Sequence, residues 1–108
     1  MKIDSMKKVI NGKLYNTHTT QEIASDRHGY PSDFHHWAET LYQTRKGAWF
    51  LYGEGGPLSH YSVSVGQNQS GSGRHIIPFT DCKALRWLEQ HASADVALEH
   101  FGSKVEEA

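Results

Sequence analysis

The sequence has little of several features that would narrow its class. Its single cysteine, Cys82, excludes an internal disulfide and favours a reducing compartment. No apolar run approaches the length of a membrane span, and the first residues lack the apolar core of a signal peptide. The formal net charge of -1 gives no basic surplus for non-specific nucleic-acid binding. We therefore expect a cytoplasmic protein with no membrane partner and no direct nucleic-acid partner.

Aromatic residues are plentiful by contrast. Three Trp, five Tyr and four Phe in 108 residues supply bulky core material. A chain of this length is expected to form a single domain over residues 1–108, with residues 1–6 and 103–108 as flexible ends.

Local patterns predict the first elements of the chain. Asn11-Gly12 separates two short apolar pairs and predicts a β-hairpin over residues 8–15, because both residues tolerate positive φ. Thr19 followed three residues later by Glu22 resembles a capping box and predicts a short helix over residues 19–25. Gly29 and Pro31 predict a loop over residues 26–34.

The middle of the chain predicts strands. A second hairpin is expected from Glu39–Thr44 and Ala48–Tyr52, with Trp49 and Leu51 on one face and Phe50 and Tyr52 on the other. Both faces of this strand are apolar, as in a central strand covered by helices on at least one side. Alternation over residues 59–65 predicts a half-buried strand, and residues 67–73 are expected to form a flexible loop. Residues 74–79 are expected to form a final strand, in which Pro78 belongs at a sheet edge or a strand end.

Two helices are expected at the carboxyl end. Thr80 or Asp81 caps the first, over residues 82–91, and Ser93 caps the second, over residues 94–100, which ends at Gly102. The sequence thus predicts an α+β fold, with an antiparallel sheet of about four to five strands packed with a short N-terminal helix and two C-terminal helices.

The glycine-rich segment FLYGEGGP (residues 50–57) does not fit a phosphate-binding loop. Such a loop ends in Gly-Lys-Ser/Thr before a helix, whereas here Pro57 follows and Glu54 would repel phosphate. The spacing also fails the dinucleotide fingerprint. We interpret the glycines as the end of a strand.

Catalytic, cofactor and metal sites find no support in local spacing. Eight histidines occur, but no His-x-x-x-His or Cys-x-x-Cys pair, so no metal ligands and no cofactor are predicted. Cys82, near a helix start, has no local base to activate it. We expect no catalytic residues, and a Cys82 enzyme is kept only as a further hypothesis.

Charge becomes acidic toward the carboxyl end. From Glu89 onward the sequence contains five acidic residues and only one Lys or Arg, Lys104. An acidic surface can bind a basic surface that otherwise holds nucleic acid, although a solvated helix face also explains the pattern.

Several stretches together resemble a group of small proteins from phages and integrative elements. They are KKVINGKLYNT (residues 7–17), ETLY (39–42), FLYGEGGPLS (50–59) with Tyr61, IIPF (76–79) and WLE (87–89). The resemblance spans nearly the whole chain from Met6, and some members of the group act as anti-CRISPRs. It also suggests a second role for residues 53–59, as a fixed loop that presents Glu54 to a partner.

The resemblance implies a non-enzymatic, anti-CRISPR-type inhibitor that binds a CRISPR–Cas effector protein and blocks target-DNA engagement. Acidic groups would pair with the effector's DNA-contacting Lys and Arg, and exposed rings would anchor the contact. The alternative is a small DNA-binding accessory protein of a mobile element. The expected partner-binding residues are Glu54, Glu89, Glu99, Trp37 and Trp87.

Overall fold

The computed structural model describes residues 6–108, so all but Met6 of the expected flexible N-terminal end, residues 1–6, lies outside the described part. The described chain forms eight strands and two helices, followed by a short 3₁₀ turn at Gly102–Lys104. The strands are β1 (Lys7–Ile10), β2 (Lys13–Asn16), β3 (Gln21–His28), β4 (Trp37–Gln43), β5 (Trp49–Gly55), β6 (Val63–Gly66), β7 (Gln69–Gly71) and β8 (Gly73–Phe79). The helices are α1 (Asp81–His91) and α2 (Ala94–Phe101).

The strands pair into one main sheet and two separate hairpins. The main sheet has the order β3-β4-β5-β8 and is antiparallel throughout. The hairpins are β1-β2 and β6-β7. In the first hairpin Asn11 and Gly12 both have positive φ, as the sequence predicts for this turn. Pro78 lies in β8, an edge strand, where its missing N–H costs no ladder hydrogen bond.

The predicted N-terminal helix is wrong, because residues 21–28 form strand β3 along the edge of the main sheet. A register shift between Glu22 and Ala24 marks a β-bulge. The bulge lets the consecutive residues Ile23 and Ala24 both pack against the helix-side core. Two adjacent apolar residues on one face hide the period of two, so the segment does not show a strand pattern.

Residues 59–73 also differ from expectation. Residues 59–62 form turns, and the strand here is confined to β6. The predicted flexible loop contains β7, which pairs with β6 across a turn in which Asn68 has a φ of 58°. Residues 6–108 therefore form three sheets, whereas the sequence predicts one sheet of four to five strands.

The two faces of the main sheet carry separate cores. Helices α1 and α2 cover the face of Leu41, Trp49 and Leu51. The N-cap of α1 is Thr80, one of the two residues predicted for it, and that of α2 is Ser93, as predicted. The β1-β2 hairpin covers the opposite face, where Tyr15 packs edge-on against the Phe50 ring at 5.4 Å. The central strand β5 is thus buried on both faces, by helices on one side and by a hairpin on the other. None of the helices in residues 6–108 has the length and apolar character needed to span a bilayer.

The glycines of β5 allow the following segment to fold back onto the sheet. A Cβ placed at Gly53 would overlap the Tyr61 ring, and one at Gly55 would overlap the Ser59 side chain. Because Gly53 and Gly55 have no side chain, the segment 56–62 can pack directly against β5. The glycine-rich stretch FLYGEGGP, which we interpret from sequence as a strand end, therefore also provides space for the segment that packs on β5.

We predict that Gly53→Ala destabilises the fold by about 2–3 kcal/mol, because the new methyl group must push the Tyr61 ring off the strand. Gly102→Ala is the matched control. Gly102 has helical φ and no atom near the added methyl group, so this change should be neutral or slightly stabilising. Urea denaturation of both variants makes the comparison, and equal stability would contradict the proposed packing of Tyr61 on Gly53.

Candidate functional site

A buried carboxylate, Glu39, lies at the centre of the helix-side face. Leu41, two residues further along β4, packs in the helix-side core, so alternation along the strand points Glu39 to the same face. Its side chain is only 10% exposed. Helix α1 and the segment 56–62 close over it.

Three side chains from separate parts of the chain surround the Glu39 carboxylate. The Trp87 indole Nε1 donates to Oε1 at 2.8 Å from α1. The Tyr61 hydroxyl donates to Oε2 in a short hydrogen bond, and His60 Nε2 lies 3.3 Å from the same oxygen. We call these four residues the Glu39 network. It ties β4, α1 and the segment 56–62 together at one point.

These contacts keep Glu39 ionised. Burial by itself raises the pKa of Glu39, but hydrogen bonds from Tyr61, Trp87 and His60 and the nearby His91 outweigh burial. The pKa of Glu39 therefore lies below its ordinary value of 4.5. Burial, and then the hydrogen bond to Glu39, raise the pKa of the Tyr61 hydroxyl, so that group remains a donor at neutral pH.

His91, at the end of α1, connects Glu39 to the edge strand β3. Its Nδ1 lies 2.9 Å from Asp26 Oδ2, and its Nε2 lies 4.0 Å from Glu39 Oε1. The hydrogen bond to His91 lowers the pKa of Asp26. Because an ionised Asp26 only accepts hydrogen bonds, Nδ1 of His91 carries the proton in this pair.

Trp37 lies among histidines beside the network. Its ring stacks on His28 at 5.9 Å and meets His60 and His91 edge-on, each at 6.0 Å. A second indole, that of Trp87, stacks on the His91 ring at 4.7 Å. The histidines that are scattered in the sequence are thus partly gathered around two indoles.

Two loops next to the network are joined by backbone hydrogen bonds. The N–H of Gly56 donates to the carbonyl of His36 at 3.0 Å, and the N–H of Leu58 donates to the carbonyl of Phe34 at 2.9 Å. Within the second loop, Ser59 Oγ donates to the carbonyl of Gly56 at 2.8 Å. The loops 29–36 and 56–62 therefore form one connected unit.

This unit exposes three large apolar side chains. Tyr30 is 81% exposed, Phe34 is 64% exposed and Leu58 is 56% exposed. We call Tyr30, Phe34 and Leu58 the paired-loop surface. Large apolar side chains exposed on hydrogen-bonded loops resemble the anchor residues of protein–protein interfaces.

The structure does not bring the three expected acidic residues together. Glu54 is half-buried in β5, opposite Arg74, and accepts a hydrogen bond from the Tyr52 hydroxyl at 3.0 Å. It lies on the sheet face away from the helices. Glu89 and Glu99 are exposed on α1 and α2, and Glu99 Oε2 is 3.3 Å from His100 Nε2. A single continuous acidic face of Glu54, Glu89 and Glu99 is therefore not formed.

The two expected tryptophans differ in their accessibility. Trp37 is half-buried in β4 among the histidines. Trp87 is buried, with 6% exposure, because its indole N–H reaches inward to Glu39. The expectation that Trp87 is an exposed ring is wrong, and this side chain supports the network instead.

Sequence reasoning named Trp87, in another role, but missed the other three residues of the Glu39 network. Glu39 had one usable signal, since it shares a period-of-two face with the apolar residues Trp37 and Leu41 and is therefore a charge on a core-facing position. Tyr30 and Phe34 had another, as large aromatic side chains inside a predicted loop. The contacts of His60, His91 and Asp26 had no local signal, because these residues meet only through the tertiary fold.

No group of three or more His, Cys, Asp and Glu within residues 6–108 is arranged to hold a metal ion. Comparisons with protein-family models, curated proteins and solved structures find no match to this chain.

We predict that Glu39→Gln destabilises the protein by about 2 kcal/mol at pH 7, because an amide nitrogen replaces one acceptor oxygen in a buried site. The folded-state pKa of Glu39 lies below its ordinary value of 4.5. Its ionic contribution is therefore full above pH 4.5 and is lost as the pH falls through the folded-state pKa. The stability difference between the native protein and Glu39→Gln should shrink over that range.

The measurement is the free energy of unfolding of both proteins in urea, between pH 7 and the lowest pH at which both still fold. Glu89→Gln, at an exposed position of α1, is the control and should change stability by less than about 0.5 kcal/mol. A difference for Glu39→Gln that stays constant or grows as the pH falls would contradict the ionised state of Glu39.

Proposed function

We propose that this protein is a non-enzymatic, anti-CRISPR-type inhibitor carried by a phage or other mobile element. It binds a CRISPR–Cas effector protein in the cytoplasm of the host cell and blocks target-DNA engagement. The observation that carries the proposal is the paired-loop surface, on which Tyr30, Phe34 and Leu58 are exposed from hydrogen-bonded loops. A resemblance in sequence to phage and integrative-element proteins supplies the class of partner.

Residues from three of the motifs that carry this resemblance contact one another in the Glu39 network. Glu39 comes from ETLY, Tyr61 follows FLYGEGGPLS, and Trp87 begins WLE. The glycines of FLYGEGGP allow Tyr61 to reach Glu39. Such a pattern would be shared among these proteins if its residues together fix the position of the loops that carry the paired-loop surface.

A binding role suits the chemistry of Glu39. Its two oxygens are occupied by Trp87, Tyr61 and His60, and its pKa is lowered. A carboxylate in this state is a weak base, and it stabilises structure better than it accepts a proton from a substrate. This favours a site that positions a surface over one that carries out a reaction.

The mode of binding differs from the one expected from sequence. Because Glu54 lies on the opposite sheet face from the helices that carry Glu89 and Glu99, we assign the contact to apolar anchoring by the paired-loop surface. Anchors of this kind mainly slow dissociation, whereas rim charges mainly affect association. Bound at a DNA-binding channel, the protein would exclude the target duplex sterically.

The first test is phage plaquing on hosts with active CRISPR systems of several types, with and without this protein. Restored plaquing in one type would identify the effector for a direct binding measurement. Rescue in none of the types, together with no binding to their purified effectors, would overturn the proposal.

We predict that Phe34→Ser or Leu58→Ser weakens effector binding by about tenfold or more, as loss of an interface anchor does. Leu98→Ser is the matched control, because Leu98 is also half exposed but lies on α2, away from the loops. It should leave affinity unchanged. Surface plasmon resonance on the identified effector gives both values, and equal effects at Leu98 and the loop positions would contradict the assignment.

One observation favours the second candidate, a DNA-binding accessory protein. Lys7, Lys8 and Lys13 are all exposed on the β1-β2 hairpin, and basic β-ribbons can bind a DNA groove. Fluorescence anisotropy with a labelled duplex at physiological salt tests it. Binding that falls steeply with salt and is lost on replacing these lysines with Ala would favour this candidate.

A further inference from the structure

A cleft opens beside the Glu39 network on the helix-side face of the sheet. Its volume is about 560 Å³, enough for a small molecule or one long side chain. Glu39 is one of its lining residues. The other lining residues come from β5, the segment 56–62, β8 and α1: Leu51, His60, Tyr61, His75, Ile76, Ile77, Phe79, Trp87 and His91.

Within residues 6–108, the lining of the cleft carries negative charge and no permanently positive side chain. Glu39 is ionised, and Asp26 lies behind His91 with its carboxylate also ionised. None of the described residues that line the cleft is Lys or Arg. Trp87 and Tyr61 give Glu39 hydrogen bonds from neutral groups only. Carboxylates removed from water are ordinarily paired with a cation, so the site is chemically suited to receive one.

Aromatic rings strengthen that preference. Tyr61 and Trp87 line the cleft, and Trp37 adjoins it through His60 and His91. The faces of such rings attract cations, with Trp the strongest. Ile77 and Phe79, which are both accessible to solvent, add an apolar wall that suits the alkyl stem of a long cationic group.

His60 is the donor to Glu39 that is most easily displaced. Its Nε2 is 3.3 Å from Oε2, longer than the 2.8 Å bond from Trp87, and its side chain is 58% exposed. Its ring lies at the surface of the loop. Rotation of His60 toward solvent would free one side of Oε2 while Tyr61 and Trp87 stay in place.

We propose that this cleft binds a guanidinium or primary ammonium group, which replaces His60 at Glu39 Oε2 and lays its alkyl stem against Ile77 and Phe79. The cation forms a charge-assisted hydrogen bond to Glu39, stronger than the long bond from His60. The cation belongs either to a free small molecule or to a Lys or Arg side chain of a protein partner. The inference does not depend on the identity of the effector.

The test is NMR titration of the ¹⁵N-labelled protein with propylguanidinium, with propylurea as the neutral molecule of similar shape. The Trp87 indole N–H is the reporter, because it donates to the same carboxylate. Saturable shifts of this resonance with propylguanidinium, and a response to propylurea at least about tenfold weaker, are expected from a site selective for charge. Equal responses to the two molecules, or no saturable shift with propylguanidinium, would overturn the proposal.

A second arm distinguishes the two sources of the cation. An acetylated, amidated Gly-Arg-Gly peptide is titrated in the same way as propylguanidinium. Tighter binding of the peptide supports a cleft for a protein side chain, and tighter binding of propylguanidinium supports one for a free small cation.

Two variants at His60 give the matched control. His60→Met removes the imidazole and leaves a neutral side chain, so propylguanidinium should bind at least as tightly as to the native protein. His60→Lys places a cation beside Glu39 and should weaken binding by about tenfold or more. Thermal unfolding checks that both variants fold. Equal affinity in the two variants would contradict the role assigned to Glu39.

Discussion

One buried carboxylate, that of Glu39, joins the main sheet to helix α1 and to the segment 56–62. Glu39 accepts from Trp87 of α1 and from Tyr61 of the segment 56–62, while it belongs itself to the central region of the sheet. Removing any partner would leave a buried polar group unsatisfied, which costs more than the bond contributes when formed. The positions of α1 and of the loops beside it therefore depend on the ionisation and packing of this one side chain.

The glycines of β5 and the Glu39 network together position the segment 56–62. Gly53 has no side chain, so the Tyr61 ring can lie on the strand, and the Tyr61 hydroxyl then reaches Glu39. The segment that follows is held close enough to bond with the loop 29–36. These hydrogen bonds join the loops that expose Tyr30, Phe34 and Leu58, so the proposed binding would require little further loss of conformational entropy.

The fold could be predicted from sequence where the local signals were strong. Asn11-Gly12 marked its hairpin, and Thr80 and Ser93 marked the helix starts. The strand β3 was missed because its bulge places Ile23 and Ala24 on one face, which conceals the alternation. The meeting of residues in the Glu39 network was missed for a different reason. Glu39, Tyr61 and Trp87 are far apart in sequence, and no local spacing records that they meet.

The most direct test of this account is a double-mutant cycle between Tyr61→Phe and Trp87→Phe, measured by urea unfolding at pH 7. Each change removes one donor to Glu39 and keeps an aromatic ring. If both donors act through the same carboxylate, their effects on the free energy of unfolding should be non-additive by about 0.5 kcal/mol or more, and the coupling should disappear in a Glu39→Gln background. Additive effects, or a coupling that survives in Glu39→Gln, would contradict the central role of Glu39.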